Sequence, residues 1–126
     1  MFMMQIKELT RAEEQIMQVL WQLEKGFVKD VIDELPEPKP AYNTVSTIIR
    51  ILETKGFIDH RAFGKSHEYY PIISKEQYQN FATEKLLNGY FDNSVQHMFS
   101  YFVKKEKIDL KEADEIMKLI EKLKNK

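Results

Sequence analysis

Apolar residues recur at helical spacing along most of the chain, and the breaks in that rhythm divide it into elements. Ile16, Val19, Leu20 and Leu23, with Trp21 beside them, form a first apolar stripe. Thr10 and Glu13 precede it as a capping-box pair, in which hydroxyl and carboxylate each satisfy a free backbone N–H. Gly26 is expected to end this helix with a positive φ. Val28, Val31, Ile32 and Leu35 repeat the spacing over a shorter helix. It stops at "PEPKP", because proline lacks an N–H and clashes with the preceding turn. In "AYNTVSTIIRILETKGFIDHR", Val45, Ile48, Ile49 and Leu52 mark a third helix, predicted over 43–55 and closed by Gly56.

The period then changes from helical to alternating. "FIDHRAF" and "SHEYYPII" are rich in aromatic and β-branched residues and are separated by Gly64-Lys65, which predicts a β-hairpin. Three small helices followed by a hairpin are the plan of a winged helix-turn-helix. In that plan the third helix enters the DNA major groove and the hairpin lies against the backbone. Ser74 and Gln77 form a second capping box and open another helical region. Tyr78, Phe81, Ala82 and Leu86 mark its first helix. Asp92 or Asn93 is expected to cap the next, which carries Val95, Met98, Phe99, Phe102 and Val103. Asp109 with Glu112 opens the last, with Ala113, Ile116, Leu119, Ile120 and Leu123.

The pattern therefore predicts a mainly α chain. A winged-helix DNA-binding domain covers 1–73 and a small three-helix domain covers 74–126. Three helices in so short a segment cannot bury that many large apolar groups on themselves. A second copy of the chain is the simplest cover. Phe91, Val95, Met98, Phe99, Phe102, Val103, Ile116, Leu119, Ile120 and Leu123 are the expected dimerisation residues.

The third helix carries a second stripe at the same spacing: Asn43, Ser46, Thr47 and Arg50, polar and without a carboxylate until Glu53. Solvated helix faces commonly mix acids and bases, and this chain does so elsewhere. Glu13 and Glu14 on the first helix and Asp30, Asp33 and Glu34 on the second read as exposed acids. Phosphates repel carboxylates, whereas Asn, Ser, Thr and Arg bond to base edges or phosphates. The N-terminal end of the helix adds free N–H groups and a positive dipole end. The face reads as one shaped for DNA.

Charge locates the same surface. The formal net charge of the 126 residues is -1. Between Lys39 and His67, however, Lys39, Arg50, Lys55, Arg61 and Lys65 stand against Glu53 and Asp59, a local +3. Such a patch predicts modest, salt-sensitive binding to phosphates. The chain has no cysteine, which rules out disulfides and thiolate metal sites. The start lacks a signal-peptide pattern and no apolar run is long enough for a membrane span, so a cytoplasmic protein is expected. No cofactor is expected. No metal site is expected either: His60 and His67 fall out of register on the hairpin, His97 is far along the chain, and all three read as surface histidines. Met1, Met3 and Met4 read as a disordered terminus. No Gly-rich phosphate loop, nucleophile elbow or HExxH stands beside the acids, so no enzyme is indicated.

"LTRAEEQIMQVLW", "AYNTVSTIIRILETKGFI" and "GKSHEYYPIIS" resemble three segments of the penicillinase-repressor family, BlaI/MecI/CopY, and the likeness continues through "FVKKEKIDLKEADEI". The resemblance implies a homodimeric repressor whose winged helix reads half of a palindromic operator. It places Tyr42, Asn43, Thr44, Ser46, Thr47 and Arg50 at the DNA, with Thr44 suited to a phosphate and Arg61 and Lys65 on the hairpin touching the backbone. Asn43 is the expected base reader, because its amide pairs bidentately with adenine. Relatives often carry a basic residue where this chain has Asn43 or Ser46, so an operator sequence does not transfer. The β-lactam-responsive branch is relieved by cleavage at an Asn-Phe bond after a BlaR/MecR-type membrane sensor protease is activated. The matching bond here is Tyr101-Phe102, with Tyr in place of Asn. Copper-responsive members carry a C-terminal cysteine cluster, which this chain lacks. Two other readings stay open: a winged-helix module that binds protein, anchored by Tyr42, and a repressor released by a small ligand in the aromatic C-terminal region.

Overall fold

A computed structural model describes residues 5–124. The expectation for Met1, Met3 and Met4 lies outside them. The elements run α1 (Arg11–Leu23), α2 (Val28–Asp33), α3 (Tyr42–Thr54), β1 (Ile58–Phe63), β2 (Ser66–Pro71), α4 (Lys75–Tyr90), α5 (Val95–Lys104) and α6 (Leu110–Lys124). Three helices and a hairpin followed by three helices is the order the periodicity predicts.

Local chemistry sets most of the boundaries. The Glu13 N–H donates to Thr10 Oγ1 and the Thr10 N–H to Glu13 Oε1, so the capping box forms as expected. Ser74 and Gln77 form the same reciprocal pair at the start of α4. Asp109 accepts from the Glu112 N–H ahead of α6. Two expected caps are corrected. Glu24, not Gly26, takes the left-handed conformation that ends α1, with φ 71°. Gly26 instead forms a short antiparallel bridge with Tyr69, bonding through both its N–H and its C=O. A side chain there would meet Asp30 Cβ at 3.3 Å. At α5, Ser94 accepts from the His97 N–H, while Asp92 and Asn93 have positive φ in the turn before it.

The chain divides into two compact units, one running to Ala82 and the other starting at Thr83. The first is built on a single core. Met17 and Leu20 from α1, Val31 from α2, and Val45, Ile49 and Leu52 from α3 close over Phe57, Ile58 and Ile73. The expected stripes of the first three helices are the buried ones, which is why these helices pack where they do. β1 and β2 pair antiparallel with Ile58 opposite Pro71 and Phe63 opposite Ser66, around the turn at Gly64 (φ 61°). This unit extends beyond Ile73 into α4 for a physical reason. The Tyr78 hydroxyl accepts from the Leu9 N–H, and its ring meets those of Trp21, Phe57 and Phe81. Trp21 Nε1 donates to the Ile73 carbonyl. The first turns of α4 thus complete the N-terminal core.

The second unit buries little. Leu87 and Phe91 are enclosed, the latter against the His97 and Tyr101 rings. Leu86, expected on the buried face of α4, is 40% exposed and its neighbour Leu87 takes the place inside. Neither α5 nor α6 has a fully buried residue.

Candidate nucleic-acid interface

With Val45, Ile49 and Leu52 turned into the core, the 3.6-residue period of α3 presents Tyr42, Asn43, Thr44, Thr47 and Arg50 outward, with Ser46 half-buried at the margin. The first turn of α3 contains no acid. Thr47 differs from its neighbours, since its hydroxyl hydrogen is donated to the Asn43 carbonyl at 2.8 Å. It offers an outside partner an acceptor and a methyl group rather than a donor.

A groove runs from α3 to the wing, lined by Tyr42, Ser46 and Arg50 on one side and Phe63, Lys65 and His67 on the other, with the start of α2 closing one end. Its geometry depends on the backbone bridge between Gly26 and Tyr69, which ties the hairpin to the α1–α2 loop. The rings of Phe27 and Phe63 meet edge to face at 5.9 Å, adding a second tie near the wing tip. Tyr69 is buried beneath the groove. Burial holds its phenol above its ordinary value and nearby Glu53 adds to this, against an opposing effect of Arg50.

Not every predicted residue reaches the groove. Arg61 stands opposite Glu68 in the hairpin, on the other face of β1 from His60, and does not line the groove. The local charge is also divided by role. Lys39 Nζ donates to the carbonyls of Asp33 and Leu35 and finishes α2. Lys55 Nζ lies 2.6 Å from the Glu13 carboxylate. Glu13, read from sequence as an exposed acid, is 5% exposed and joins α1 to α3 through that pair. Arg50, Arg61 and Lys65 remain exposed for an anionic partner.

The histidines of the wing also depart from expectation. His60 pairs with Tyr69 and His67 with Ala62, so they are not opposite one another. As diagonal neighbours on one face, however, their rings stack at 4.1 Å. His60 Nδ1 is 2.5 Å from Glu53 Oε2, so it is a half-buried partner of α3 rather than a free surface residue. Phe63 and His67 line the groove although neither was expected at the DNA, and Lys39, counted with the basic patch, caps α2 instead. Alternation along β2, which puts His67 on the face of Tyr69, was the available signal for His67.

Residues 9–122 match the family profile described as penicillinase repressor. The chain belongs to the penicillinase repressor family. Membership makes it a DNA-binding transcriptional repressor, and not an enzyme. The methicillin resistance regulatory protein MecI of Staphylococcus aureus (strain N315) is 24% identical over 116 residues, spanning 91% of this chain and 94% of that protein. The penicillinase repressor of Bacillus licheniformis is 25% identical over 125 residues, 98% of each. Among solved structures, the DNA binding domain of the repressor BlaI aligns at a TM-score of 0.52 with 28% identity. It covers 60% of this chain and 94% of that domain. The shared fold is the winged helix expected from the periodicity. Among the described residues no helix is long and apolar enough to cross a membrane.

Proposed function

We propose that this member of the penicillinase repressor family acts in the cytoplasm as a homodimer on a palindromic operator. Each N-terminal unit reads one half-site through α3, and the wing braces the adjacent backbone. The observation that carries this is the exposed, acid-free face of α3 with Arg50 and Lys65 flanking one groove. Asn43 is the base reader, Thr44 and the free N–H groups of the first turn meet a phosphate, and Ser46 and Arg50 contact the groove. Thr47 contributes its methyl and acceptor. Arg61 meets the backbone from the outer face of the wing.

The helices beyond residue 74 are proposed to form the dimer. Val95, Leu119, Ile120 and Leu123 are between 47% and 62% exposed, more large apolar surface than a solitary unit this small leaves to water. Met98, Phe99, Phe102 and Ile116 are half-buried and Val103 exposed alongside them. Phe91 is assigned instead to the interior of one protomer, because its ring is enclosed by His97 and Tyr101. Relief by cleavage at Tyr101-Phe102, under a BlaR/MecR-type sensor protease in β-lactam-resistance regulation, would divide this surface. The bond lies inside α5, so a protease must first unwind that helix.

Fluorescence anisotropy with DNA from the chain's own upstream region, beside scrambled DNA and over a salt series, tests the reading. Sequence-selective binding that is lost in Asn43→Ala and Arg50→Ala is expected. Equal, weak binding to both DNAs would overturn it in favour of a protein-binding winged helix.

A further inference from the structure

At the C-terminal end of α3, an acid of the helix meets the first strand of the wing. Glu53 Oε2 lies 2.5 Å from His60 Nδ1, and Asp59 Oδ1 lies 3.8 Å from the same nitrogen. One donor atom from each of Glu53, Asp59 and His60 falls within 4.8 Å of the others. We propose that these three residues form a site for a divalent transition-metal cation, which clamps the reading helix to the base of the wing.

The donor set suits the assignment. One imidazole with two carboxylates matches zinc, cobalt or nickel better than magnesium or calcium, which favour all-oxygen shells. Ligand bonds of about 2.0–2.2 Å put the donors of a tetrahedral ion roughly 3.3–3.6 Å apart. The separations from His60, 2.5 and 3.8 Å, lie on either side of that spacing, and the two carboxylate donors lie within 4.8 Å of each other, so side-chain rotation brings the three to it. Glu53 and His60 are about one-third exposed and Asp59 is 54% exposed, leaving a path for the ion and room for water to complete its shell. Among the described residues, neither carboxylate is ion-paired with lysine or arginine, and Lys55 two positions along is held by Glu13. The stacked His67 ring, 10° from parallel, limits rotation of His60.

Binding places the cation on His60 Nδ1, which leaves the ring proton on Nε2. Metal affinity therefore falls on acidification, as protons compete for Nδ1. On the DNA-binding reading, the clamp also fixes the wing relative to α3 and neutralises the two carboxylates near the phosphates. That consequence rests on that reading, whereas the site itself does not.

Isothermal titration of Zn²⁺ into the full chain without DNA, at neutral pH, tests the proposal, with the visible d–d bands of Co²⁺ as a second signal. About one ion per chain is expected, with Kd on the order of 10 μM or tighter. Glu53→Gln and His60→Gln should each weaken it about tenfold or more, while His97→Gln leaves it unchanged. Asp59→Asn alters an exposed side chain and should weaken binding with the far-UV circular dichroism intact. Absence of saturable binding by the parent chain overturns the proposal, as does binding that survives His60→Gln or Asp59→Asn. Since the titration contains no DNA, failure of the operator reading leaves its outcome unaffected.

Discussion

Lys55 Nζ and the Glu13 carboxylate, 2.6 Å apart, join the end of α3 to the first turn of α1, and the acid also holds the Thr10 N–H. Burial alone would raise the Glu13 pKa, but hydrogen bonds from Lys55 and Thr10 outweigh it and hold the carboxyl below its ordinary value of 4.5. A depressed folded value means that Glu13 contributes stability above about pH 4.5, which is lost as pH falls through the lower folded pKa. Lys55→Met should cost about 1–3 kcal/mol in urea unfolding at neutral pH, because it strips a partner from a buried acid. The penalty should shrink once Glu13 is protonated, and equal stability of parent and variant at neutral pH would refute the pair's role. On the outer face, Asn43→Ala should lower selective binding by about 1–3 kcal/mol and relax preference at one base position. Competition with single-base operator variants measures it. The composition of this face is legible in the sequence because side-chain spacing on a helix is fixed. The burial of Glu13 was not, since a lysine forty-two residues away makes it tolerable.

Among the elements, the wing depends most on contacts outside itself. A two-stranded hairpin is marginal alone in water. Here the bridge from Gly26 to Tyr69 and the Phe27–Phe63 ring contact attach it to the front of α2. Lys65 at its turn is exposed and lines the groove. Lys65→Ala should weaken binding by similar factors on operator and scrambled DNA, and lower the slope of log K against log salt by about one. A loss confined to the operator would instead make Lys65 a base reader. Phe63→Ala should leave helical circular dichroism unchanged yet lower DNA affinity, because the wing loses its outer tie. Unchanged affinity would remove Phe63 from the interface. Caps formed within three residues, such as Thr10 with Glu13 and Ser74 with Gln77, could be read directly from the sequence. Gly26 could not, because the partner that makes glycine necessary there is a strand from another part of the chain. Nor could Ser94, where three consecutive capping residues compete and the turn geometry selects the last.

At the scale of the whole molecule, the two compact units divide the work unequally. The first encloses its core, whereas α5 and α6 leave apolar residues open to water. Replacing both Leu119 and Ile120 by Asp should shift sedimentation equilibrium toward monomer and weaken operator binding by about a hundredfold, as linked half-site contacts are lost. A variant that stays dimeric would place the interface elsewhere. Periodicity and short-range capping by themselves determined the helices, the hairpin and the acid-free face of α3, since these follow from fixed backbone repeats and neighbours a few residues apart. Only the tertiary structure decided which charges are structural. Lys39, Lys55 and Glu13 all read as surface charge until folding brought them against helix carbonyls or one another. Tertiary packing likewise extended the first unit into α4 through Tyr78 and stacked His60 on His67. The physical reason is the same in each case: spacing along a chain sets which face a residue occupies, but burial and pairing depend on what distant segments bring to that face.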